Sequence, residues 1–150
     1  MSIVVENSTV LSALTEKFAE VFGDTKEVEY FFSPGRINLI GEHTDYNGGY
    51  VFPASITIGT TGLARLREDK KVKLYSENFP KLGVIEFDLD EVEKKDGELW
   101  SNYVKGMIVM LKGAGYEIDK GFELLIKGEI PTASGLSSSA SPVSYTHLRA

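Results

Sequence analysis

The chain has no cysteine, so it can build no disulfide framework, thiolate nucleophile or thiolate metal site, which suits a reducing cytoplasm. Histidine is scarce: there are two, and His43 has no second one near it in the sequence, which argues against a transition-metal centre. Long hydrophobic runs are missing too, since no stretch reaches the about 18 apolar residues that span a bilayer. Met1-Ser2-Ile3-Val4-Val5-Glu6-Asn7 has no basic region ahead of an apolar core, so no secretory leader is expected. Basic residues are outnumbered, and a net charge of −6 disfavours a nucleic acid or an acidic membrane surface as partner. A soluble, unprocessed cytoplasmic protein is the expectation.

What is present is ordinary for a globular domain. At 150 residues, 42% hydrophobic and 25% charged, the chain is long enough for one domain with a core. Val10, Leu11, Leu14, Phe18, Val21 and Phe22 recur at helical spacing, with Ser8 or Thr9 to cap the start and Gly23 to end it. Glu27 to Phe32 is aromatic and β-branched and reads as a strand. Ile56 to Arg67 and Lys71 to Ser76 read as two strands of a hairpin joined by Glu68-Asp69-Lys70. Gly83 to Leu89 alternates apolar and polar residues, which adds a half-buried strand before a charged connection. Trp100, Tyr103, Val104, Met107, Ile108 and Leu111 make the strongest helical pattern, ended by Gly113, and Phe122, Leu124 and Ile126 alternate in a last strand.

Chemistry concentrates in Pro34-Gly35-Arg36-Ile37-Asn38-Leu39-Ile40-Gly41-Glu42-His43-Thr44-Asp45-Tyr46-Asn47-Gly48-Gly49. Arginine, carboxylates and a histidine crowd between apolar runs, as a rigid scaffold presents a site. Pro34-Gly35 and Asn47-Gly48-Gly49 read as turns at which the segment enters and leaves sharply. The plain alternative is a solvated loop that carries charge for solubility.

A second constellation is Pro131-Thr132-Ala133-Ser134-Gly135-Leu136-Ser137-Ser138-Ser139-Ala140. A strand followed by glycine, small hydroxyl residues and a helix start can gather free backbone N–H groups into an anion site. The serine hydroxyls add hydrogen bonds and a hard oxygen ligand for Mg²⁺. A Gly-Lys-Ser/Thr ending and a Gly-x-Gly-x-x-Gly fingerprint are both absent, so the run is neither a Walker loop nor a dinucleotide fingerprint. Read alone, such a serine run is more often a flexible loop.

Gly35 to Gly49 resembles, residue for residue, the galactokinase signature of the small-molecule kinase family that groups galactokinase, homoserine kinase, mevalonate kinase and phosphomevalonate kinase. Pro131 to Ala140 is similar to that family's phosphate-binding loop, and the motifs stand in the family's order. The resemblance implies an α/β (α+β) fold: a mixed, largely antiparallel sheet with helices on one side, the first domain of a two-domain kinase. It implies transfer of the γ-phosphoryl of ATP to the anomeric hydroxyl of galactose. Arg36 would stabilise charge near the transferring phosphoryl, and Glu42, His43, Thr44 and Asp45 would hold the sugar. Ala133, Ser134, Gly135, Leu136, Ser137, Ser138 and Ser139 would wrap the triphosphate, with Ser139 a ligand of Mg²⁺. Trp100-Ser101-Asn102-Tyr103-Val104-Lys105-Gly106 is similar to the family segment whose aromatics line the nucleotide base pocket, so Trp100 and Tyr103 carry a core reading and an ATP-binding reading together. Galactose and ATP are the implied partners, and a monomer the implied full-length state.

Past residue 141 the resemblance stops. Pro142 would fall beyond the first turn of a helix starting near Ser137, where proline costs around 3 kcal/mol, and residues 142–150 have no amphipathic spacing. They read as a foreign or frameshifted tail on an N-terminal portion whose catalytic Asp, acidic Mg²⁺ ligand and third motif lie beyond residue 150. Such a portion is expected to lack activity alone. The remaining alternatives are a related sugar kinase, such as one for N-acetylgalactosamine, and a non-catalytic galactose and ATP sensor.

Overall fold

The computed structural model describes residues 8–41, 47–97 and 99–130. In chain order these form α1 (Ser8–Phe22), β1 (Glu29–Ile40), β2 (Phe52–Leu66), β3 (Lys71–Ser76), β4 (Ile85–Asp88), α2 (Leu99–Gly113) and β5 (Phe122–Gly128). The strands make one five-stranded mixed sheet in the order β1-β2-β5-β3-β4, so the fold is α+β. By contact density the chain divides into two units, Met1–Phe31 with Thr61–Lys127, and Phe32–Thr60 with Gly128–Ala150.

In the first unit the core follows from the helical and strand periods read in the sequence. Leu14 and Phe18 of α1 pack with Leu63, Tyr75 and Leu125, contributed by β2, β3 and β5. Each such large side chain contributes roughly 1.5–3 kcal/mol when fully buried. The α1 helix ends where expected: Gly23 takes φ +101° and its N–H donates to the Ala19 carbonyl at 2.8 Å. The α2 helix runs through Gly113 and is closed two residues later by Gly115, at φ +91°.

Several expectations are corrected here. The strands β2 and β3 do not form a hairpin, because β5 inserts between them and runs parallel to β3, with Leu74 opposite Leu124. Gly121 makes this insertion possible: a Cβ there would lie 2.0 Å from the Lys71 carbonyl oxygen, while Arg67 N–H donates to the Gly121 carbonyl at 2.9 Å. The antiparallel hairpin is instead β3–β4, with Val72 opposite Phe87. The strand β5 does not alternate, since Glu123, Leu124 and Leu125 are all buried, as suits a strand covered on both faces. The helices do not share one side. α1 covers the face of Tyr75 and Leu125, whereas Lys105 of α2 lies 5.2 Å over the ring of Phe87, whose partner Val72 points the opposite way from Tyr75 along the pleat.

A charged cluster ties the α1 face together. The Glu123 carboxylate, only 4% exposed, accepts from Arg65 Nε at 2.9 Å and from Arg67 Nη1 at 2.6 Å. Arg65 also pairs with Asp24 just after α1, and Arg67 with Asp69 at 2.6 Å. Two guanidinium groups therefore satisfy one buried carboxylate, the condition under which burying a charge is tolerated.

Candidate active site

Arg36 lies inside β1, not after it. The strand continues through Pro34-Gly35 to Ile40, so these residues are not the turn read from the sequence. β1 ends the strand order, and a proline on an edge strand loses no ladder hydrogen bond on its outer side. Along the strand Ser33 and Gly35 are buried while Pro34 and Arg36 are exposed, the two-residue alternation of a pleated strand. The Arg36 guanidinium, always charged, has no hydrogen bond or ion pair among the described residues.

Directly after β1, Gly41 takes φ +95°, and Gly48, in a turn, takes φ +76°. The Asn47-Gly48 turn is therefore present. Glu42, His43, Thr44 and Asp45, the expected sugar-holding residues, lie outside the described residues.

Within the second unit, described residues of β1 and β2 pack against Glu129 and Ile130. A Cβ on Gly35 would stand 3.0 Å from Ile130 Cδ1 and 3.0 Å from Ile56 Cδ1, tighter than ordinary packing. A Cβ on Gly59 of β2 would stand 2.1 Å from the Ser33 carbonyl oxygen, and the Gly59 carbonyl accepts from Glu129 N–H at 2.9 Å. The residue beside Arg36 is therefore packed against the residue that leads into Pro131 and the serine run. Ala133, Ser134, Gly135, Leu136, Ser137, Ser138 and Ser139, and residues 142–150, lie outside the described residues. Among the described residues no group of three or more His, Asp or Glu could hold a metal ion.

The aromatic segment separates its two readings residue by residue. Tyr103 is 48% exposed and is not core. It lines a cleft of about 580 Å³ with Val92, Lys94, Gly106, Val109 and Met110. Trp100 is half-buried and is not part of that lining, although its indole N–H is buried and has no acceptor among the described residues. One wall of the cleft is held by Asn102, whose side-chain oxygen accepts from Lys95 N–H at 3.1 Å and whose amide nitrogen donates to the Lys95 carbonyl at 2.9 Å. That pair of bonds fixes the irregular stretch carrying Val92 and Lys94. The Lys94 ammonium has no ion pair among the described residues.

Sequence reading missed Gly106, and the signal for it was there. Glycine inside a helix costs about 1 kcal/mol relative to alanine, so its presence in the middle of α2 wants a reason. Its φ is not left-handed, and a Cβ there would meet nothing within 4 Å. Packing within the described residues does not require it.

The chain matches known family models over two stretches. Residues 16–66 match the family model described as the galactokinase galactose-binding signature, and residues 102–148 match the GHMP kinases N terminal domain. The chain is 97% identical over 141 residues to a galactokinase of Lactococcus lactis subsp. cremoris, a match covering 94% of this chain and 35% of that protein. A galactokinase of Ligilactobacillus salivarius is 57% identical over 128 residues, 85% of this chain and 33% of the relative. The structure superposes with a TM-score of 0.87 on a crystal structure of Lactococcus lactis galactokinase complexed with galactose, at 96% identity over 91% of this chain and 35% of that one. The chain thus spans about a third of the length of the relatives it matches. Over that span, with the signature strand carrying Arg36 set against the entry to the serine run, it belongs to the galactokinase family of GHMP kinases.

Proposed function

We propose that this chain supplies the sugar-holding segment and the triphosphate loop of an ATP-dependent galactokinase, which phosphorylates the anomeric hydroxyl of galactose. The observation that carries this reading is the galactose-binding signature over residues 16–66, within which Arg36 is exposed and makes no hydrogen bond or ion pair among the described residues. Phosphoryl transfer is mostly positioning and charge neutralisation, and a guanidinium offers several donors in a fixed fork. Arg36 therefore stabilises the charge that develops on the transferring phosphoryl. Glu42, His43, Thr44 and Asp45 hold the sugar hydroxyls, and buried carboxylates left unpaired by a wrong epimer make the choice strict.

Residues Ala133 to Ser139 present backbone N–H groups and hydroxyls to the triphosphate, and the chain reaches them through Glu129 and Ile130, which pack on β2 and β1. Tyr103 offers a ring face to the base in its cleft. Mg²⁺, with Ser139 as an oxygen ligand, would neutralise charge on the phosphates. No helix among the described residues is long and apolar enough to cross a membrane, in keeping with a cytoplasmic enzyme that acts as a monomer at full length.

The test uses the chain extended to the full length of its Lactococcus lactis relative. Galactose-dependent release of ADP is expected, with glucose a poor substrate, and Asp45→Ala should erode that preference. Equal turnover of galactose and glucose by the parent would overturn the sugar assignment.

A further inference from the structure

We propose that Gly106 determines how a nucleotide base seats in the Tyr103 cleft, by leaving the helix surface bare where the flat ring lies. The inference rests on the base-pocket reading given above and adds a residue to it.

A glycine in a folded chain has a small set of physical reasons. A left-handed φ is one, and it holds for Gly41 and Gly48 but not for Gly106. Close approach of neighbouring chain is another. It holds for Gly35, Gly59 and Gly121, where a Cβ would lie 3.0 Å or less from other atoms, whereas a Cβ on Gly106 would meet no described atom within 4 Å apart from its own helix backbone. Ending a helix is a third, and α2 continues from Gly106 to Gly113. What remains is close approach by something that is not among the described residues.

The place where that something approaches is the cleft. Gly106 lines it together with Tyr103, one turn earlier on α2, and with Met110, one turn later. The lining is an aromatic ring, a bare backbone and an adaptable thioether in a row, with Val109 beside them. A flat, largely apolar ring system fits such a strip, because it gains contact over its whole face and needs few polar partners there. Lys94, also in the lining and next to the Lys95 that pairs with Asn102, adds a cation that the ring's polar edge or an attached phosphate can meet. A methyl group on residue 106 would lift the ring off the helix without disturbing any packed atom.

The experiment compares Gly106→Ala and Tyr103→Ala with the parent in the full-length Lactococcus lactis relative, at the equivalent positions. For Gly106→Ala the expected result is a KM for ATP raised tenfold or more, a KM for galactose within twofold of the parent, and a thermal midpoint equal to or above it. A KM for ATP within twofold overturns the proposal. So does an equal rise in both KM values, or a lowered thermal midpoint, which would show that Gly106 is kept for packing against another stretch of polypeptide. If Tyr103→Ala raises the KM for ATP and Gly106→Ala does not, the role of Gly106 fails while the base pocket stands. If neither does, the base-pocket reading itself fails.

Discussion

Gly35 and Ile130 stand so close that a single methyl group on Gly35 would come within 3.0 Å of Ile130 Cδ1. This contact couples two stretches that are far apart in sequence. Gly35 precedes Arg36 in β1, and Ile130 is the last described residue before Pro131. The sequence does not show the approach of Gly35 to Ile130, which depends on the apolar packing of Ile56 and Ile130 against a bare glycine.

Gly35→Ala is expected to destabilise the protein by about 1–2 kcal/mol, the usual range for a methyl forced into a packed site. Ile56 also crowds this position, with Cδ1 at 3.0 Å from the added methyl, so a second change, Ile56→Val, should restore half or more of the loss. Urea denaturation of the single and double variants measures both. A stability unchanged within about 0.3 kcal/mol in the single variant would show that the neighbours move aside freely.

Arg36→Ala should lower kcat about a hundredfold or more in the full-length context, while galactose binding stays nearly intact. The side chain is exposed and makes no hydrogen bond or ion pair among the described residues, so its removal should change thermal stability little. Loss of galactose affinity with an unchanged kcat would assign Arg36 to the sugar and not to the phosphoryl group.

Helices were the legible part of this fold. Leu14 and Phe18 at spacing four, and Val104 and Ile108 likewise, report burial directly, because a helix aligns side chains by local geometry alone. Strand neighbours were not legible in the same way. Glu68-Asp69-Lys70 looks like hairpin chemistry, yet the partner of β3 is β5, which arrives only after α2, and no local pattern encodes so distant a pairing. Pro34-Gly35 misled for a related reason: its turn chemistry is overridden by an edge position in the sheet and by the packing of Ile130 on Gly35. In the candidate site, the position of Arg36 inside β1 was not legible, because Pro34-Gly35 reads as a turn, and the bare surface at Gly106 was not either, since an apolar stripe announces what is packed and not what is left bare.

The Asp69 carboxyl has a pKa lowered to about 2, first by its hydrogen bond with the Arg67 guanidinium and then by Lys71 N–H, against the pull of desolvation. Because the folded-state value lies below the ordinary 3.8, the stabilisation is complete above about pH 4 and is lost as the pH falls towards 2. Thermal midpoints measured between pH 5 and pH 2 should therefore fall less steeply for Asp69→Asn than for the parent. Parallel curves for the two proteins would mean that this ion pair does not contribute to acid unfolding.

Glu123 should be the most costly charged residue to remove. Its carboxylate is 4% exposed and holds Arg65 and Arg67, both themselves largely covered, at 15% and 23% side-chain exposure. Removing one partner of a buried pair leaves uncompensated charge, which typically costs 3–5 kcal/mol, so Glu123→Ala is expected to lose about 3 kcal/mol, with some of the penalty relieved by Asp24 and Asp69. Glu123→Gln keeps the shape and one acceptor and should lose less. A triple variant that replaces Glu123, Arg65 and Arg67 together with apolar residues removes the charges as well as the bonds, and should recover stability relative to Glu123→Ala. If Glu123→Ala unfolds in urea within about 1 kcal/mol of the parent, the cluster is solvated in solution and does not hold β2 and β5 together.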